Sequence, residues 1–101
     1  MSVVSENQAT LREIEHAGKI FRLNGPIVVS FFEEDALVYC EYAPLSILSF
    51  GRSRDDAARS FCEDFAMLWD VVAQSPDESL TADARAVKQQ LLAAVNSIVP
   101  E

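Results

Sequence analysis

The spacing of hydrophobic residues changes once along the chain. Up to Phe50, apolar residues alternate with polar ones or form short β-branched and aromatic runs, whereas from Ser53 onward they recur every three or four residues. The first pattern is typical of strands and the second of amphipathic helices. Because the strands precede the helices, we predict an α+β fold: a three- to four-stranded, mainly antiparallel sheet covered by one long helix, plus a C-terminal helix.

Four extended segments are predicted in the first half of the chain, at residues 19–23, 27–32, 37–42 and 45–50. Residues 24–26 (Asn-Gly-Pro) are expected to break the chain between the first two, because Gly permits unusual dihedral angles and Pro removes a hydrogen-bond donor. Residues 33–35 (Glu-Glu-Asp) are predicted to form a polar turn. Pro44 indicates a bulge or an edge position in the strands that follow.

The segment before these strands has two interpretations. Residues 1–9 are expected to be loosely ordered. Residues 10–15 form either a strand that turns back through residues 16–18 (His-Ala-Gly), or a short helix capped by Ser5 and Gln8. We favour the hairpin, because the segment that follows is plainly β.

Two amphipathic helices are predicted in the second half. The first is capped by Ser53 and runs to about Gln74, and the second is capped by Thr81 and runs through residues 81–99 until Pro100 stops it. The apolar stripe of the first helix is Ala57, Ala58, Phe61, Phe65, Leu68 and Val72. The stripe of the second is Ala84, Val87, Leu91, Val95 and Ile98.

Composition and charge restrict the class of protein. The 101 residues are half hydrophobic, which suffices for one domain over residues 1–101, and the net charge is −8. Such a charge repels nucleic acids and anionic membranes, and a basic protein partner or plain solubility fits it better. Because a small domain buries a low fraction of its surface, we also expect self-association into a homo-oligomer. No signal peptide or spanning segment is recognisable, and Cys40 and Cys62 lie inside regular elements, which favours a cytoplasmic protein with reduced thiols.

Carboxylates are the most abundant candidates for chemistry. Glu33, Glu41, Asp55 and Asp56 would serve a small metal-dependent hydrolase or nuclease if the fold brought them together. Their simpler roles are a hairpin tip and the first turn of a helix, where acidic residues complement the helix dipole. We therefore predict no metal and no cofactor.

A nucleophilic mechanism is also not favoured. The single histidine, His16, would have to meet Cys40 or Cys62 through the fold, since no recognisable spacing links them. Small cysteines within regular elements are commonly buried packing groups. We predict no catalytic residue.

One basic cluster stands out in this acidic chain. Arg52, Arg54 and Arg59 lie close together around the start of the first helix, and Trp69 flanks that helix's apolar stripe. We predict these four residues as partner contacts, although charge balance with the neighbouring aspartates would also explain the arginines.

The aromatic residues are predicted to form the core rather than a stacking surface for single-stranded nucleic acid, because few basic residues are interleaved with them. They are Phe31, Phe32, Tyr39, Tyr42, Phe61, Phe65 and Trp69.

Residues 27–72 resemble the HicB-like antitoxin domain. The parts that carry the resemblance are strand 27–32, the acidic turn 33–35, strand 37–42, Pro44, strand 45–50, Gly51, the Ser53 cap, the Asp55-Asp56-Ala57 run and helix 61–72. The resemblance implies a β layer covered by one helix, a nuclease-like fold without its active site, binding to a small basic toxin, and assembly as a dimer or larger. The family's separate DNA-binding module has no counterpart after Pro76, where only Arg85 and Lys88 are basic.

These observations favour a non-catalytic protein-interaction module that resembles HicB-like antitoxin domains and binds a protein partner or itself. Two alternatives are kept: the metal-dependent hydrolase described above, and a homo-oligomeric domain that binds a small molecule between sheet and helix or between subunits.

Overall fold

A computed structural model of the chain describes residues 7–101. It is an α+β structure with five strands and two helices. The strands are β1 (Gln8–His16), β2 (Lys19–Glu34), β3 (Leu37–Tyr42), β4 (Ile47–Gly51) and β5 (Val95–Pro100); the helices are α1 (Arg54–Leu68), which continues as a π-helical segment over Trp69–Ala73, and α2 (Ala82–Ala94); short 3-10 turns cover Ala43–Leu45 and Asp77–Ser79.

The sheet is antiparallel and is organised around its longest strand, β2. The strand order is β1-β2-β3-β4, and β5 also pairs with β2. Strand β1 follows one side of β2 along most of its length. On the other side, β5 pairs with residues 19–23 of β2, and β3 pairs with residues 30–34. The 16-residue β2 therefore spans both halves of the sheet, together with β1.

Both hairpins around β2 close through left-handed turn residues. Ala17 and Gly18 have φ angles of 52° and 79°, and Asp35 and Ala36 have φ angles of 53° and 67°. Two consecutive residues with positive φ are typical of the tight turns that match the twist of antiparallel strands. The predicted hairpin at residues 16–18 is therefore confirmed, and the alternative short helix is wrong. The turn predicted at residues 33–35 lies instead at Asp35 and Ala36, because β2 extends through Glu34.

Two expectations near the N-terminus need correction. Gln8 and Ala9, expected to be loosely ordered, begin β1, while the expectation for residues 1–6 lies outside the described part of the chain. Residues 24–26 do not end a strand either. They lie where the β1–β2 register shifts, between the pairs Leu11–Ile27 and Glu13–Arg22, so Pro26 interrupts no ladder pair.

The C-terminal helix is shorter than predicted. It ends at Ala94, and Val95–Pro100 forms β5 instead of the expected helical continuation through residue 99. The physical reason is tertiary: the first half of β2 has a free edge, and β5 satisfies its backbone groups while Val95 is buried. β-branched residues also fit a pleated strand better than a helix. Strand β5 therefore makes the sheet larger than predicted.

Helix α1 packs its apolar stripe onto the sheet. Ala57, Phe61 and Phe65 are fully buried, and Ala58, Leu68 and Val72 pack against the core from its margin. Phe65 meets Phe21 of β2 edge-to-face at 5.7 Å between ring centroids. The predicted long helix is confirmed. Its cap is the Ser53 hydroxyl, which accepts a hydrogen bond from the Asp56 amide at 3.1 Å.

The junction between β4 and α1 depends on Gly51. A Cβ atom added there would lie 2.6 Å from the Cβ of Asp56 and 2.7 Å from the backbone nitrogen of Ala57. Because one of these atoms belongs to the helix backbone, the clash cannot be relieved by rotating a side chain. Gly51 thus sets how closely the first turn of α1 approaches the sheet.

We therefore expect Gly51→Ala to lower the free energy of unfolding by about 1–3 kcal/mol, the usual cost of overpacking. Urea titration followed by circular dichroism measures it. Gly25→Ala is the matched control, because a Cβ at Gly25 meets no atom within 4 Å. This variant should be no less stable than wild type and should gain at most about 1 kcal/mol. Equal effects of the two substitutions would contradict the close-approach argument.

Candidate protein-interaction surface

The face of the sheet opposite the helices carries a row of aromatic side chains. Phe32, Tyr39 and Phe50 stand side by side on β2, β3 and β4, because Phe32 pairs with Tyr39 and Tyr39 with Phe50. The first two rings stack at 5.1 Å with an interplanar angle of 9°, and the next pair lies 6.0 Å apart at 41°. We call these three residues the aromatic row.

Further apolar residues surround the aromatic row and are equally exposed. The exposed fraction is 41% for Phe32, 56% for Phe50, 53% for Leu48 and 47% for Val28. We call these four residues and Tyr39 the open face. Large apolar side chains clustered on one face of a small protein are typical of an interaction surface, whereas single exposed apolar side chains are common on protein surfaces.

Carboxylates lie within and beside the open face. Glu41 projects from β3 between Ser30 and Leu48, its neighbours in the ladder, and is exposed. Glu34 lies at the end of β2, two residues beyond Phe32 on the same face. The open face is thus mainly apolar, with one carboxylate within it and another at its margin, a combination that complements a surface carrying both apolar and basic groups.

The open face continues around the edge of the sheet at β4. In the part of the chain that the structure describes, β4 pairs with β3 alone, so its other edge has no strand neighbour. Between this edge and α1 lies a groove of about 360 Å³. It is lined mainly by apolar side chains: Leu45, Ile47, Leu48, Met67, Leu68 and Val71. We call it the edge groove.

The three predicted contact arginines have different surroundings. Arg54 lies over the ring of Phe31 at 4.4 Å and donates a hydrogen bond to the backbone oxygen of Gln8 at 2.9 Å, so it ties β1 and β2 to α1. Arg59 forms an ion pair with Asp56 at 2.9 Å, one turn away on the same helix. Arg52 lines an open cleft of about 560 Å³ together with Arg54.

Trp69, the fourth predicted contact, lies on the helix-covered side of the sheet. Its ring meets Phe21 edge-to-face at 5.9 Å, and the side chain is partly buried. The packing of Trp69 against a core residue explains its position without a partner.

The carboxylates considered for a metal site are dispersed. Glu41 lies on the open face, whereas Asp55 and Asp56 lie at the start of α1, on the other side of the sheet. Glu33 lines the cleft beside Arg52. Among residues 7–101, no three His, Cys, Asp or Glu side chains lie close enough to hold a metal ion.

The two cysteines are free thiols with raised pKa values. Cys40 is fully buried on β3, and burial, which disfavours the thiolate, raises its pKa to about 11. Burial likewise raises the pKa of Cys62 on α1, although a hydrogen bond to the backbone of Glu15 opposes this. An activated nucleophile requires the opposite shift of the thiol pKa.

His16 lies at a shallow pocket beside Asp56, Arg59 and Glu63.

The raised pKa of Cys40 predicts a loss of stability in alkali. Because the folded-state pKa of about 11 exceeds the ordinary value of 9.0, the neutral thiol stabilises the fold fully below about pH 9, and this contribution is lost as the pH rises through 11. Urea titrations between pH 8 and pH 11 should show wild type losing more stability than Cys40→Ala. Parallel curves for the two proteins would contradict the assignment.

The comparisons with known proteins add no family. No protein-family model, curated protein or solved structure matches the chain. Within residues 7–101, neither helix is long and apolar enough to cross a membrane.

The prediction that all the aromatic residues form the core is partly wrong. Phe31, Phe61 and Phe65 are buried as expected, but Phe32 and Tyr39 belong to the open face. The sequence does contain a signal that points to this surface. Residues 47, 48 and 50 are apolar, so β4 carries hydrophobic side chains on both faces, although only one face can meet α1.

Proposed function

We propose that this chain is a non-catalytic protein-interaction module whose open face binds a protein partner. The observation that carries the proposal is the aromatic row, with Phe32 and Phe50 half exposed on a sheet face that the helices leave uncovered. Aromatic residues are enriched at the centres of protein interfaces, because a rigid ring contributes a large contact area at a low entropic cost.

The charge of the chain favours a basic partner. The net charge of −8 and the exposed carboxylates of Glu34 and Glu41 attract a basic surface and repel a nucleic acid. The resemblance of residues 27–72 to HicB-like antitoxin domains supports the same conclusion and suggests a small, basic, toxin-like protein. We also propose a cytoplasmic location, which suits two free cysteines. A second copy of the chain is the other partner to consider.

Replacement of one ring of the aromatic row should abolish partner recovery. We expect Phe50→Ser to lower the affinity for the partner by about 30-fold, since truncating a central aromatic residue costs roughly 2 kcal/mol. The tagged chain is expressed in its own source cells, and the protein that co-purifies in a fixed stoichiometry is quantified for wild type and variant. Circular dichroism checks that the variant remains folded.

The matched control is Leu92→Ser. Leu92 is 48% exposed, but it lies on α2 and outside the open face. This variant should retain the partner. Equal recovery with Phe50→Ser and wild type would refute the open face as the binding site.

Light scattering of the purified chain distinguishes self-association. If wild type alone is oligomeric and Phe50→Ser is monomeric, the partner at the open face is a second copy. If both proteins are monomeric and neither retains a partner in fixed stoichiometry, the proposed function is wrong.

A further inference from the structure

The free edge of β4 lacks the features that normally protect an edge strand. Its sequence, Ile-Leu-Ser-Phe-Gly over residues 47–51, contains no charged residue and no proline. The opposite edge of the sheet, β1, carries Arg12, Glu13 and Glu15. Charges and prolines on edge strands prevent pairing with other chains, so β1 is protected and β4 is open to an added strand.

The groove beside this edge has two chemically different ends. Near the start of β4, the exposed side chains of Met67 and Val71 make it apolar. Near the end of β4, a second pocket adjoins the edge groove and is lined by Ser60, Glu63 and Asp64, of which Asp64 also lines the edge groove. Glu63 is exposed, and Asp64 accepts a hydrogen bond from the buried Ser49 hydroxyl at 2.6 Å.

The two ends are spaced like alternate residues of a strand. Helix α1 runs antiparallel to β4, with Ser49 beside Asp64 and Ile47 beside Met67. One helical turn advances about 5.4 Å, and two strand residues advance about 6.7 Å. A strand added to β4 would therefore direct one side chain to the apolar end, and the side chain two positions away to the acidic end.

We infer that the edge of β4 accepts an extended segment of the partner protein as an additional strand, with an apolar residue opposite Ile47 and an Arg or Lys opposite Ser49. This inference rests on the proposed function and specifies part of its contact. Backbone hydrogen bonds to β4 supply affinity, and the two ends of the groove select the sequence. The intervening side chains of the segment extend the open face beside Leu48 and Phe50.

Charge complementarity favours a basic partner segment over a second copy of this chain. Strand β4 has no basic residue to offer to Glu63 and Asp64. Two copies paired through β4 would bring the same carboxylates of both α1 helices toward one another, and like charges facing across an interface oppose association.

Capped peptides test the inference directly. The probe is Thr-Tyr-Arg-Thr-Leu-Thr, which places arginine and leucine on one side of a strand. The first control, Thr-Tyr-Arg-Leu-Thr-Thr, places them on opposite sides, and the second has Glu in place of Arg. We expect the probe to bind with a Kd below about 1 mM and at least about fivefold more tightly than either control. Hydrogen exchange should slow on binding at those amides of residues 47–51 that point away from β3.

Variants assign the two ends of the groove. Glu63→Lys should weaken binding of the probe by about fivefold, and Met67→Asp by about tenfold. Glu78→Lys is the charge-matched control, because Glu78 lies in the 3-10 turn Asp77–Ser79, and it should leave the affinity unchanged. Both lining residues are exposed, so the variants should fold normally.

Three results would overturn the inference: no binding of the probe at about 1 mM, equal binding of all three peptides, or slow exchange, in the chain alone, of the β4 amides that point away from β3, which would mean that a second copy occupies the edge. These results are separable from failure of the proposed function. If Phe50→Ser abolishes partner binding and Glu63→Lys leaves it unchanged, the open face remains a binding site and the added strand at the edge of β4 is excluded.

Discussion

Burial of the α1 stripe against one face of the sheet is the interaction on which the rest of the structure depends. Phe61 and Phe65 are completely buried there, and each contributes roughly 1.5–3 kcal/mol through removal of apolar surface from water. The contact is close because Gly51 allows the helix to start directly against the strand that precedes it. Ser49 and Asp64 add a hydrogen bond between the same two elements. Since both helices contribute to this single core, the opposite face of the sheet stays uncovered.

This asymmetry concentrates the exposed apolar residues around β4. As the last strand of the path, it has one face against α1, one face toward solvent, and one edge without a neighbour in residues 7–101. Leu48 belongs to both the open face and the edge groove, so the two surfaces are continuous. A partner that covered the aromatic row would therefore lie beside the free edge as well. The proposed partner surface on the open face and the proposed added strand at β4 would thus be two parts of one contact.

The candidate site was less predictable than the fold, for a physical reason. Sequence spacing identifies which residues share a face, but it does not identify which face a helix will cover. Phe31 and Phe32 are adjacent aromatic residues with similar propensities, yet one lies under Arg54 and the other in the aromatic row. Likewise, the arginines looked like a surface cluster, although Arg54 binds the backbone of Gln8, 46 positions away in sequence. Contacts of this kind form between segments that are distant in sequence.

The sequence by itself determined the succession from strands to helices as far as α2, the tight turn at residues 17–18, the Ser53 and Thr81 caps and the stripe of α1, because these follow from short-range dihedral and spacing preferences. Tertiary structure alone decided that residues 24–26 bend rather than end β2, and that Val95–Pro100 leaves its helix to become β5. Val95–Pro100 gains sheet hydrogen bonds from β2, which is distant in sequence. Residues 24–26 carry no ladder pair themselves, but Leu23 on one side pairs with Val95 and Ile27 on the other pairs with Leu11. Pairing between consecutive strands places Phe32, Tyr39 and Phe50 side by side, and the packing of α1 on the opposite face leaves them uncovered.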